Sequence, residues 1–119
     1  MTVVDASALL AFLQNEPGAD RVEAALADAS IGAANWSEVA QKVIGRGGDW
    51  DLARALLRSY GLTIEPVTIE DAELAAKTWQ AGNGLSLADR LCLALATRLA
   101  QTVLTADKAW GTDGVEQIR

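Results

Sequence analysis

Four acidic residues stand where a small α/β domain could bring carboxylates together: Asp5, Glu38, Asp89 and Asp107. Asp5 ends the apolar run Met1-Thr2-Val3-Val4, and Asp107 follows Val103-Leu104-Thr105-Ala106. Glu38 and Asp89 each fall one turn into an expected helix, in Asn35-Trp36-Ser37-Glu38 and Ser86-Leu87-Ala88-Asp89. In an open parallel sheet, strand carboxyl ends and helix amino ends share one edge, and ligands bind there. Carboxylates gathered at such an edge repel one another unless a cation lies between them, and hard oxygen donors suit Mg²⁺ or Mn²⁺. The sequence holds no His and one Cys. A histidine general base, a His-containing zinc site and a Ser-His-Asp triad are therefore excluded, and carboxylate chemistry remains.

The elements that must carry these residues alternate along the chain. Apolar runs predict strands at 2–5, 30–34, 62–67, 101–105 and 115–118, with Pro66 marking an edge strand or a strand end. Helical spacing of apolar residues predicts helices at 6–14, 18–29, 49–60, 68–81 and 86–100. A further helix is expected from Asn35 to the breaker Gly45-Arg46-Gly47-Gly48, and a short turn or helix at 107–110. Strands alternating with helices indicate a three-layer α/β/α sandwich around a mainly parallel sheet. At 119 residues the expectation is one domain, 1–119. Residues 86–100 are the most apolar helix and so should be packed most deeply, with Cys92 as a buried free thiol.

A plainer role exists for some of these acids. Asn35-x-x-Glu38, Ser86-x-x-Asp89 and Thr68-x-x-Asp71 all fit the capping box, in which the third helical residue bonds back to the N-cap amide. Acids in a first helical turn also favour the helix dipole. Asp5 is not accounted for in this way. A carboxylate ending a hydrophobic first strand is expected to be buried, which is costly without partners, and Ser7 offers only one hydrogen bond. Asp107 shows the same oddity more weakly, with Lys108 as a surface partner.

Four segments taken in order resemble the blocks of a PIN-domain ribonuclease. They are Val3-Val4-Asp5-Ala6-Ser7-Ala8-Leu9-Leu10-Ala11, Asn35-Trp36-Ser37-Glu38-Val39, Leu87-Ala88-Asp89-Arg90-Leu91-Cys92-Leu93-Ala94-Leu95-Ala96 and Val103-Leu104-Thr105-Ala106-Asp107-Lys108-Ala109-Trp110. The chain is most similar to the VapC toxins of VapBC toxin–antitoxin pairs, along its whole length. The resemblance implies a metal-dependent endoribonuclease with a Mg²⁺ site, Mn²⁺ being possible there, centred on Asp5 and Asp89 and completed by Glu38 and Asp107. Ser7 and Thr105 match polar positions that orient those carboxylates. Two ions about 4 Å apart would activate water and stabilise the departing oxygen in phosphodiester hydrolysis, in place of the missing histidine base. The family implies cleavage of structured RNA (tRNA or ribosomal RNA) that halts translation. It also implies a homodimer, silenced by a cognate antitoxin whose tail brings an Arg into the acidic cleft.

The charge sets limits on that function. Ten cations against sixteen anions give −6. Setting aside the four cleft acids leaves ten against twelve, or −2, and two bound divalent ions give the same −2. This balance argues against loose electrostatic binding to a polyanion but does not exclude a site that meets phosphate through its ions. Arg46, Arg90 and Lys108 are the cations expected nearest the cleft. Trp36 and Trp110 are expected to flank it, as packing residues in preference to the alternative of base stacking, and Trp50 and Trp79 to be core or dimer-interface anchors. A receiver-type signalling domain is disfavoured because Asp49 and Asp51 follow no apolar strand. A catalytically silent PIN-like binding module is the other alternative. No basic segment precedes an apolar N-terminal stretch and no run is long enough to span a membrane, so a cytoplasmic protein is expected.

Overall fold

The computed structural model describes residues 1–119. The first apolar run forms β1 (Thr2–Val4), and the chain then enters α1 (Ala6–Leu13) and α2 (Ala19–Ala25). A short 3-10 turn at Leu26–Asp28 leads into β2 (Ala29–Gly32), followed by α3 (Ala33–Gly45) and α4 (Trp50–Ser59). Next come β3 (Thr63–Glu65), α5 (Ile69–Lys77) and α6 (Leu87–Leu99). The chain closes with β4 (Thr102–Thr105), a 3-10 turn at Lys108–Trp110 and β5 (Val115–Gln117). All five strands are parallel, in the order β3-β2-β1-β4-β5. The expected mainly parallel α/β sandwich is what the chain forms.

β1 is central and reads as continuous hydrophobics because both of its faces are covered. Val4 packs with Leu9, Val22, Val39 and Leu57 of α1 to α4 and with Leu26 of the 3-10 turn, while Val3 packs with Cys92, Leu95 and Ala96 of α6. α6 lies on the sheet and Cys92 is free and fully buried, but α1, with Ala8, Leu9 and Ala11 buried, is the more apolar helix of the two, contrary to expectation. α5 packs chiefly on α6 instead. Pro66 follows β3, the edge strand, where no ladder hydrogen bond is lost.

The structure moves several expected boundaries. The helix expected at 18–29 ends at Ala25, and the strand expected at 30–34 begins at Ala29 and stops at Gly32. α3 therefore starts at Ala33 with Gly32 as its N-cap, so Asn35 lies inside the helix and does not cap it. The capping boxes of Ser86 with Asp89 and Thr68 with Asp71 are both present. α5 ends at Lys77, which leaves Trp79 beyond the helix and 60% exposed. It is no core anchor. Trp50 does pack, edge to face on Trp36 at 5.1 Å.

Asp71 does more than cap α5. Its carboxylate also takes two hydrogen bonds from Arg98 of α6, at 2.9 and 3.1 Å, and so clamps the α5–α6 pair. The Arg98 guanidinium, with the Thr68 amide, holds the Asp71 carboxyl below its usual range against the upward push of burial. A depressed folded-state pKa means that this contribution is complete at neutral pH and is lost as pH falls through that value. Asp71→Asn should therefore cost more than the roughly 1 kcal/mol of a cap alone. Thermal melts at neutral pH check this, and the gap between variant and parent should narrow in acid.

Candidate active site

The carboxyl edge of the sheet, beside β1 and β4, is where the candidate residues meet. Strand order reverses there, since β1 connects forward to β2 on one side and pairs with β4 on the other. Asp5 follows β1 and serves as the N-cap of α1, its Oδ1 accepting from the Ala8 amide at 2.8 Å. That cap was not legible in the sequence. The same Oδ1 accepts from the Ser7 hydroxyl at 2.7 Å, and Oδ2 accepts from the Thr105 hydroxyl at 2.6 Å. Ser7 and Thr105 lie 3.2 Å apart, and they accept from the amides of Ala106 and Asp107 respectively. The two hydroxyl residues thus lock Asp5 to the end of β4.

Asp5, Glu38, Asp89 and Asp107 line one cavity of about 210 Å³, together with Ser7 and Lys42. Asp89 accepts at Oδ2 from the Ser86 amide of its capping box, and Asp107 accepts at Oδ1 from the Ala109 amide. Glu38 accepts at Oε1 from the Asn35 side chain at 3.0 Å. Each of these three carboxylates keeps its second oxygen without a protein partner, facing a shared space. Cap and ligand roles are therefore compatible here. As placed, no three of the acids close into a chelate around one point. The donor set is nevertheless all hard oxygen, with no His and with the nearest Cys buried, and so fits Mg²⁺ or Mn²⁺ better than a soft-ligand metal.

Burial pushes the Asp5 carboxyl above its usual range; hydrogen bonds from Thr105, Ala8 and Ser7 pull it back, and the charge of Asp89 adds to the rise. The Cys92 thiol is pushed well up, first by burial and then by the negative charges of Asp5, Asp89 and Glu38.

A profile of the PIN domain matches residues 2–111. The chain belongs to the PIN domain family. No curated protein sequence matches it significantly. Among solved structures, a toxin-antitoxin complex from Klebsiella pneumoniae superposes with a TM-score of 0.82 at 20% identity, covering 100% of this chain and 98% of the other. The sarcin-ricin loop cleaving toxin VapC20 of Mycobacterium tuberculosis gives 0.76 at 16% identity, covering 100% and 99%. At such identities these two similarities speak for the fold of this PIN domain.

The cations of this PIN domain are not placed as expected. Arg90 is buried and points away from the cleft, donating from Nη1 to the Ala75 carbonyl at the end of α5. Arg46 lines an apolar groove with Leu13, Val43 and Leu52. Lys108 is exposed and pairs with no acid, Asp107 included. The cation that does line the cleft is Lys42, which sequence reasoning missed. Its signal was the spacing from Glu38, four residues on and hence on the same helix face. Neither Trp36 nor Trp110 lines the cleft, and both pack on core clusters, as expected.

A raised folded-state pKa for Asp5 means that the folded chain binds its proton more tightly than the unfolded chain. Stability then falls as pH rises from the ordinary carboxylate range through the raised value. Asp5→Asn should therefore raise the metal-free melting temperature near neutral pH. Asn caps a helix as well as Asp does, its oxygen can serve Ala8 and Ser7, and its NH₂ can donate to Thr105. Calorimetry with and without Mg²⁺ checks this: the ion should raise the melting point of the parent and barely that of the variant.

Proposed function

We propose that this PIN domain is a metal-dependent endoribonuclease of the VapC toxin type, which cleaves structured RNA and is neutralised by a cognate antitoxin. The single observation that carries the proposal is the cavity that all four acids line at the carboxyl edge of the sheet. The similarity to a toxin-antitoxin complex and to a sarcin-ricin loop cleaving toxin supports the substrate class and the partner. A homodimer belongs to the same proposal. The exposed apolar side chains Trp79 and Leu87, at the connection between α5 and α6, are candidates for its contact.

Asp5, Glu38, Asp89 and Asp107 would hold the divalent ions. When bound, such ions supply an activated water and stabilise the oxygen that leaves in phosphodiester hydrolysis. The chain's own part is orientation. Ser7 and Thr105 fix the Asp5 carboxylate, Ser86 fixes one oxygen of Asp89, and Asn35 fixes one of Glu38. Lys42 faces the same space and would meet a non-bridging phosphate oxygen as a point charge. An antitoxin arginine entering the cleft would satisfy the same carboxylates with bidentate hydrogen bonds and displace the ions.

The direct test is purified protein on total RNA with mapping of new 5′ ends. Cleavage should need Mg²⁺ or Mn²⁺, stop with EDTA and vanish in Asp89→Asn, while Asp71→Asn, in the matching capping box, should cleave nearly normally. Activity that survives excess EDTA, or survives equally in both variants, contradicts the proposal. No cleavage by the parent under any metal points to a binding module. Lys42→Gln should cleave with kcat/KM reduced about tenfold and a shallower salt dependence, as loss of one phosphate contact implies. Rates across a salt series check it.

A further inference from the structure

Asn35 is out of place by every local rule. Asn is a weak helix former because its amide competes for backbone partners, yet here it sits in the first turn of α3 with its side chain buried and the residue only 1% exposed. Its Nδ2 donates to Glu38 Oε1 at 3.0 Å and to the carbonyl of Ala88 at 3.2 Å. Its Oδ1 is buried with no partner, lying over Gly32, where a Cβ would stand 3.2 Å from it. The amide cannot be turned round. Both neighbours are acceptors only, so reversing it would press an oxygen against a carboxylate and a carbonyl. A residue selected for packing alone would not leave a buried oxygen unsatisfied, and a leucine of similar size would avoid that penalty.

We infer that Asn35 is a positioning residue that sets the spacing of Glu38 and Asp89 across the cleft. This rests on the metal-dependent reading above. One amide hydrogen holds the Glu38 carboxylate in a single orientation. The other ties α3 to the carbonyl of Ala88, the residue before Asp89, and so fixes the start of α6 relative to α3. α3 follows β2 whereas α6 follows α5, the two helices are in contact, and the amide bridges them where each presents its acid. The bond to Glu38 works with local i, i+3 geometry, whereas the bond to Ala88 spans 53 positions of sequence. A serine or threonine hydroxyl carries one proton and could serve only one of these acceptors. An aspartate carries none and would repel Glu38. Two donors on one rigid planar group are what the position requires. Gly32 fits the same design, since its lack of a side chain leaves room for the unpaired oxygen.

The experiment compares Asn35→Leu, Asn35→Thr and the core control Val39→Ala with the parent, by thermal melting without metal and by calorimetric titration with Mn²⁺. Asn35→Leu should melt at or above the parent, because it removes the unsatisfied oxygen, yet bind Mn²⁺ about 10–100-fold more weakly. Asn35→Thr, with one donor left, should fall between. Val39→Ala should show the reverse, a lower melting point with unchanged Mn²⁺ affinity. RNA cleavage by Asn35→Leu should recover in excess Mn²⁺, which Asp89→Asn should not do. Mn²⁺ affinity within twofold of the parent in either Asn35 variant overturns the inference, and so does a loss that only tracks the melting point. If Asn35→Leu does not fold, Asn35→Thr decides on the same criteria. Failure of the metal reading itself looks different: the parent then binds no Mn²⁺ at all, and both ideas fall together.

Discussion

The structure turns on the burial of one carboxylate at the end of the central strand. Asp5 is 3% exposed, and a charge so placed is costly unless its oxygens are matched. They are matched by groups from two separate parts of the chain. Ala8 and Ser7 come from the turn into α1, and Thr105 comes from the end of β4, a hundred positions away. Ser7 and Thr105 in turn accept from the amides of Ala106 and Asp107, so the segment carrying the fourth acid is placed by the same network. The hydrogen bonds reduce the cost of ionising Asp5 without abolishing it, since its carboxyl still lies above the usual range.

Helix capping and the proposed ion binding, which look like competing accounts of an acidic residue, can share the two oxygens of Asp89 and Asp107. Asp89 and Asp107 each commit one oxygen to a backbone amide at the start of a helix or turn and leave the other free. The cap removes rotamer freedom from the side chain before any ligand arrives. Asp71 is a cap away from the cleft. Both of its oxygens are taken up by Arg98 and Thr68 within the α5–α6 pair.

A net charge of −6 gives no long-range attraction for a polyanion. Local charge has to do what the whole surface does not. In the cleft, four acids face a single ammonium, Lys42, while Arg90 and Arg98 are used to hold α5 against α6. Under the proposed function, divalent ions would supply most of the positive field there, and substrate affinity would then depend on metal occupancy.

The layered parallel fold and the four acids were legible in the sequence because they rest on local signals. The apolar runs of β1 and β4, the periodicity of α6 and the two capping boxes each depend on neighbours a few positions apart. The start of α3 was not legible. Asn35 looks like a cap because Asn favours caps, and only the pairing of β2 with β1 and β3, which ends at Gly32, sets the helix three residues earlier. Arg90 likewise follows Asp89 in sequence, but helical rotation turns it toward α5 while Asp89 faces the cleft. The sequence by itself thus determined which residue types were available and on which element each would ride. Tertiary structure decided which of them share a space, because the partners of Asp5 and Asn35 come from strands and helices joined only when the sheet forms.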